Sequence, residues 1–225
     1  MGAHPDDVEV GTGGVLIDLN KRGYKTGIVY LTKGEMGTGG TPEIREEEAI
    51  KAARIMGSDL IQVYDWGDCK LFDTYERRLE LAALIREYKP RIVLAPYPHA
   101  GHGKRQSHPD HVAAGQIAIN AANYATLKKM PIAGEPHQVE RIFHYFLPPG
   151  MAPSFVVNIT EHFDQWIEAL KCHESQFLNP EKGRDYMWSL ENLARSFGAQ
   201  AGCKYGQGFY NVEPIRIADL FDLVK

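Results

Sequence analysis

The chain has 225 residues, 44% of them hydrophobic and 24% charged, with a formal net charge of -4. That length suits a single domain over residues 1–225 with a large core, and an acidic balance without a lysine/arginine stripe excludes nucleic-acid binding. No run of about eighteen apolar residues is present, and no basic region followed by an apolar core opens the chain, so neither a membrane span nor a secretory leader is expected and a cytoplasmic location follows. Cys69, Cys172 and Cys203 are odd in number, widely spaced and without a Cys-x-x-Cys pair. They are expected to be buried free thiols of a reducing compartment rather than a disulfide framework.

The chain opens on His4-Pro5-Asp6-Asp7, one imidazole and two carboxylates within four residues. A hydrolytic metal needs a borderline-soft nitrogen, a carboxylate, a third ligand from elsewhere and an open position for water. His4 and Asp7 supply the first two, and Pro5 fixes one backbone torsion between them. Asp6 cannot easily point the same way as Asp7 and is left for proton transfer.

Helical spacing of Val15, Leu16 and Leu19 predicts a first helix over residues 11–22, closed by Gly23. Its glycines, Gly11, Gly13 and Gly14, complete neither a phosphate-loop nor a dinucleotide fingerprint and are read as close packing. Residues 26–32 read as a buried strand, followed by a glycine-rich loop over 33–40 that would rim a pocket at the end of the sheet. Thr41 caps and Pro42 opens a second helix that ends at Gly57. Arg45 lies in its first turn, an unfavourable place for a cation, so it is either solvated or held for an anionic partner. A strand over 60–64, a turn at Asp65-Trp66-Gly67-Asp68, a helix over 76–88 and a strand over 91–96 follow. Strands alternating with helices predict a doubly wound, mostly parallel sheet.

The loop after that strand carries His99, His102, Lys104 and Arg105, read as rim or solvent groups because a catalytic zinc keeps its fourth place open. It leads to a second quartet, His108-Pro109-Asp110-His111. Pro109 stands where a proline opens a helix, so Asp110 and His111 fall in the first turn, where the dipole favours a carboxylate and a neutral, metal-competent imidazole. The inferred site is His4, Asp7 and His111 on a metal, with Asp6, His108 and Asp110 as an acid–base group. Beyond it, 139–147 and 155–158 read as strands, and 161–173 and 186–199 as helices. The segments 174–177 and 205–209 are expected to close over the pocket or form a subunit contact.

With both quartets, Leu31-Thr32-Lys33-Gly34-Glu35-Met36-Gly37, Ala95-Pro96-Tyr97 and Glu174-Ser175-Gln176-Phe177, the chain resembles the LmbE-like (PIG-L) family of zinc-dependent N-acetylglucosamine deacetylases, in particular its bacillithiol-biosynthesis branch. The resemblance implies an α/β, Rossmann-like three-layer sandwich, a cytoplasmic homo-oligomer (hexamer or trimer), and one Zn2+ per chain, with Fe2+ able to stand in its place. It also implies that Arg45 lies at the substrate site and Asp68 near the sugar hydroxyls. Two departures stand out. Only Met1, Gly2 and Ala3 precede His4, so the sheet is expected to lack the family's first strand or the chain to be a fragment. Gln106-Ser107 replaces the acidic and basic residues common before the histidine, which bears on the substrate.

The expected activity is removal of an N-acetyl group from an N-acetylglucosamine conjugate such as the malate glycoside, with Asp6 as base and with His108, oriented and kept cationic by Asp110, as oxyanion stabiliser or acid. The rival readings are a catalytically silent sugar-binding homologue and a non-haem iron oxygenase using the same two-histidine, one-carboxylate set.

Overall fold

A computed structural model describes residues 1–99, 107–180, 185–219 and 221. His102, Lys104 and Arg105 lie outside the described residues. The first half alternates helix and strand as the sequence predicts: α1 (Asp7–Lys21), β1 (Gly27–Tyr30), α2 (Pro42–Met56), β2 (Asp59–Val63), α3 (Tyr75–Tyr88), β3 (Ile92–Pro96) and α4 (Pro109–Thr126). The second half contributes β4 (Arg141–Tyr145), β5 (Phe155–Asn158), α5 (Phe163–Lys171), the short α6 (Glu174–Phe177), α7 (Tyr186–Gln200) and β6 (Gly206–Phe209).

β1 pairs with β2 and β3 with β4 in parallel, while β5 and β6 are antiparallel. Residues 1–3 join the first two pairs. Gly2 N donates to Val29 O at 2.9 Å, Leu31 N to Gly2 O at 3.1 Å, and the Met1 amino nitrogen to Leu94 O at 2.6 Å. The sheet position expected to be missing is therefore filled by Met1, Gly2 and Ala3, between β1 and β3. On the far side, His144 and Tyr210 exchange backbone hydrogen bonds of 2.9 and 2.8 Å, which brings the β5–β6 pair against β4.

Two cores make the fold three-layered. Alternate residues of β1 point to opposite faces, as a pleated strand requires. Ile28 and Tyr30 enter the core of Ile17, Met56, Trp166 and Leu170 beneath α1, α2 and α5. Val29 and Leu31 enter the core of Leu81, Ile117 and Ala121 beneath α3 and α4. No helix among the described residues is long and apolar enough to cross a membrane.

Helix ends follow the capping chemistry. The Thr41 hydroxyl accepts from Ile44 N at 3.4 Å, Pro42 begins α2, and Gly57 ends it at φ 75. α1 departs from expectation by starting at Asp7, ahead of the glycines. Helix propensity argues against glycine inside a helix, but here packing overrides it. A Cβ on Gly11 would lie 2.1 Å from the Tyr145 ring, and one on Gly14 2.8 Å from Ile159. In the 205–209 segment, Gly206, Gln207 and Gly208 line a cleft that starts at His108 and His111. The segment carries strand β6, with Tyr205 stacked on Phe163 at 3.5 Å between ring centroids. The 174–177 segment is α6, tied to α2 through Ser175 N donating to Glu48 Oε1 at 2.8 Å.

Gly11→Ala is expected to cost about 1–3 kcal/mol through overpacking against Tyr145. Urea unfolding checks this, and an unchanged midpoint would contradict the close-packing account.

Candidate functional site

Loops at the carboxyl ends of the parallel strands meet at one edge of the sheet, where open α/β folds bind ligands. The turn before α1 brings His4 to Asp7, the chain after β2 brings Asp68 and Cys69, and the start of α4 brings His108 to His111. The three imidazoles His4, His108 and His111 have ring centroids 4.9–5.3 Å apart.

Asp7 joins them. Its Oδ2 accepts from Ala3 N at 2.8 Å and His4 N at 2.9 Å, which leaves Oδ1 2.9 Å from His111 Nε2. The same Oδ2 lies 3.5 Å from His4 Nδ1. The opposite ring nitrogen of His4 faces Asp68 Oδ1 at 3.0 Å and Asp110 Oδ2 at 3.3 Å. Burial alone would lower the His4 pKa, but Asp110, Asp68 and Asp7 together push it up to about 12. Burial would raise the Asp7 carboxyl, and His111 and His4 instead hold it well below the usual carboxylate range. A pocket that so favours positive charge beside nitrogen and oxygen donors fits a divalent cation. Among the described residues, His4/His108/His111, His4/Asp68/Asp110 and Asp68/Cys69/His108 each place ligand atoms within 4.8 Å of one another.

Asp6 stands apart from this cluster as the sequence requires. It occupies the N-cap position of α1 at φ 119, yet its side chain makes no capping hydrogen bond. Such a backbone costs a non-glycine residue about 1–3 kcal/mol and persists only where its surroundings fix it. Burial pushes its carboxyl up to about 6, against the pull of Arg45 and with a further push from Asp7.

The family model described as PIG-L, GlcNAc-PI de-N-acetylase, matches residues 1–122, the segment that carries both quartets. The chain belongs to the PIG-L family. Among PIG-L relatives it is 33% identical to the diacetylchitobiose deacetylase of Thermococcus kodakarensis, over 91% of this chain and 79% of that protein. It is 28% identical to a probable N-acetyl-alpha-D-glucosaminyl L-malate deacetylase 2 of Bacillus cereus, over 77% and 80% of the two chains. The crystal structure of the conserved protein TT1542 from Thermus thermophilus superposes with a TM-score of 0.85 at 39% identity, covering 96% of this chain and 94% of that one.

The structure shows what surrounds the other predicted residues of this PIG-L chain. Arg45 is 3% exposed, and its guanidinium donates to Gly34 O and Pro5 O at 2.7 Å each and to Asp6 Oδ2 at 3.2 Å. Its anionic partner within the chain is Asp6. Gly34 is obligatory there, because at φ 67 a Cβ would lie 2.0 Å from the guanidinium. Asp68 is buried, with one oxygen on His4 at 3.0 Å and the other accepting from Met36 N at 3.0 Å. The Asp110 carboxylate accepts from Cys69 N at 2.7 Å and Leu71 N at 3.4 Å, so it does not hold the His108 ring. It is the Asp110 backbone N–H that donates to His108 Nδ1, at 3.2 Å, and burial together with His4 and His111 lowers the His108 pKa instead of keeping the ring cationic. Last, Cys69 is exposed and Cys172 and Cys203 are partly buried, although all three thiols are free as expected.

A buried group behind Asp6 escapes the sequence reading. Glu9, Tyr30 and His173 are fully buried; the Tyr30 hydroxyl donates to Glu9 at 2.6 Å, and His173 Nε2 lies 3.2 Å from Glu9 Oε1. The available signal was a glutamate on the apolar side of α1, next to Val8 and Thr12.

Arg45→Met should destabilise the protein by about 3 kcal/mol, because it leaves Asp6 unpaired and two loop carbonyls without donors. A surface contact reserved for substrate would leave the melting temperature nearly unchanged. Thermal unfolding separates the two.

Proposed function

We propose that the protein is a zinc-dependent hydrolase that removes the N-acetyl group from an N-acetylglucosamine conjugate, with the malate glycoside among its candidate substrates. The observation that carries this reading is the split between two neighbouring carboxylates. Asp7 bridges His4 and His111, while Asp6 caps nothing and is held by Arg45 beside that cluster. A structural role would need only one of them. Named relatives that hydrolyse N-acetylated glucosamine compounds supply the substrate class.

His4, Asp7 and His111 would hold the cation, and His111 is kept in place by Phe146 stacked at 4.8 Å. When bound, a zinc ion supplies Lewis acidity and lowers the pKa of water to near ~7. The chain's own groups do the rest. Asp6 accepts the proton of the attacking water, its carboxylate aimed by the Arg45 guanidinium. His108 accepts the Asp110 amide at Nδ1, which leaves Nε2–H to donate to the oxyanion that develops on the amide. Asp68 and Asp110 fix the His4 ring from its far side, the usual task of carboxylates behind a ligating imidazole. Amide cleavage yields acetate and the free amine. We place this chemistry in a homo-oligomeric enzyme, as the family resemblance implies.

Acetate release from N-acetylglucosamine glycosides should vanish on chelation and return with zinc. A silent sugar-binding homologue or an iron oxygenase would release no acetate under either condition. A second test separates the two aspartates. Asp7→Asn should lose metal, with activity partly regained in excess zinc. Asp6→Asn should retain metal yet lose about 10²–10⁴ in turnover, whatever the zinc concentration. Equal losses restored by zinc in both variants would remove Asp6 from the role of base.

A further inference from the structure

The surroundings of the three histidines are sharply two-sided. On one side, carried by the loops after β1 and β2, stand Asp68, Cys69, Glu35 and the backbone amides they engage. On the other, a cleft of about 460 Å³ starts at His108 and His111 and runs between the end of β4 and helix α7. Its walls include Phe146, Leu147, Leu190, Leu193 and Phe197, and no lysine, arginine, aspartate or glutamate among the described residues lines it.

Two polar side chains that border the cleft, Gln207 and Tyr145, are turned to internal partners. Gln207 Oε1 accepts from Val15 N at 3.0 Å and its amide donates to Val10 O at 3.3 Å. The Tyr145 hydroxyl donates to Met1 O at 2.6 Å. Beyond Ser107 and the two histidines at its mouth, what the described residues turn to the space is mainly hydrocarbon and ring. The wall nearest the histidines is also fixed: Phe146 sits at φ 59, a strained conformation for an aromatic residue, with its ring flat against His111. The volume is about fifteen times the ~30 Å³ share of one water molecule, far more than an acetyl methyl fills.

We propose that this cleft is an acyl-chain subsite, so that the enzyme accepts N-acyl glucosamines whose acyl group is several carbons longer than acetyl. The assignment rests on the amide-hydrolase reading above. A substrate with a hydroxyl-rich sugar and an apolar acyl group on either side of one amide matches the two-sided site in a single orientation. The sugar lies towards Asp68 and the loop after β1, and the acyl chain lies along Phe146 and α7. The reaction is unchanged: water adds across the amide, the C–N bond breaks, and the products are a longer carboxylate and glucosamine.

The test compares N-acetyl-, N-butyryl- and N-hexanoylglucosamine on the metal-loaded parent and on Leu193→Glu, a wall position that is 48% exposed and therefore tolerant of substitution. Each methylene buried should raise kcat/KM about fourfold, so that hexanoyl exceeds acetyl at least tenfold in the parent. Leu193→Glu should abolish that preference and leave acetyl turnover in place. A parent that turns over acetyl but loses activity steadily with chain length overturns the subsite and leaves the deacetylase reading standing. If none of the three free sugars is hydrolysed, acetate release from N-acetylglucosamine glycosides tests the deacetylase reading separately, and calorimetric binding of the same three compounds decides the subsite. Hexanoyl bound at least tenfold more tightly than acetyl by the parent but not by Leu193→Glu supports it, and equal or absent binding overturns it.

Discussion

The site depends on how the Asp7 carboxylate is divided. One oxygen is held by the backbone amides of Ala3 and His4, which fixes the turn that presents His4, and the other meets His111 from a helix more than a hundred residues later. A carboxylate tied by two N–H donors cannot swing away, so it sets the position at which the two quartets meet. Buried among imidazoles, it stays ionised, which makes the cluster a well for positive charge. The strand-like residues 1–3 serve the same end. Their backbone hydrogen bonds to β1 and β3 place the turn at the middle of the sheet edge rather than at its margin.

Around that anchor the protein keeps a second carboxylate apart at a structural cost. Asp6 is forced to positive φ, and Arg45 holds it there while pinning the loops on either side through Pro5 O and Gly34 O. One buried guanidinium thus couples the turn before α1, the loop after β1 and the first turn of α2. Substitutions at Arg45 therefore act on the geometry of Asp6. Glu9, Tyr30 and His173 form a further polar layer behind, with the Tyr30 hydroxyl hydrogen-bonded to Glu9 and the His173 ring 3.2 Å from the same carboxylate.

Both quartets were legible because proline fixes local geometry and the residue types are few: Pro109 opens α4 where expected, and the Asp7 carboxylate lies 3.5 Å from His4 Nδ1 and 2.9 Å from His111 Nε2, although the tight ligand sets group the histidines with one another or with Asp68 and Asp110. Capping chemistry likewise located α2 from Thr41 to Gly57. What could not be read was long-range. Arg45 in a first turn looked like a cation awaiting a substrate, because nothing local reveals that Asp6 folds back onto it. Asp110 was assigned to the neighbouring His108, whereas its carboxylate reaches amides of the loop after β2, across the site. α1 begins four residues before the expected Gly11, because residues 7–10 show no helical spacing of their own, and the tertiary fit of Tyr145 and Ile159 explains the glycines inside it. β6, rich in glycine, gave no strand signal for a related reason: Phe197 packs where a Cβ of Gly208 would stand.

Zinc-edge anomalous diffraction from crystals of the zinc-loaded protein tests the central claim most directly, because the described residues offer several overlapping ligand sets. The account predicts a single strong peak about 2.1 Å from a nitrogen of His4, an oxygen of Asp7 and a nitrogen of His111, with Asp6 outside bonding distance. A peak held instead by Asp68, Cys69 and His108, or one bonded to Asp6, would contradict it.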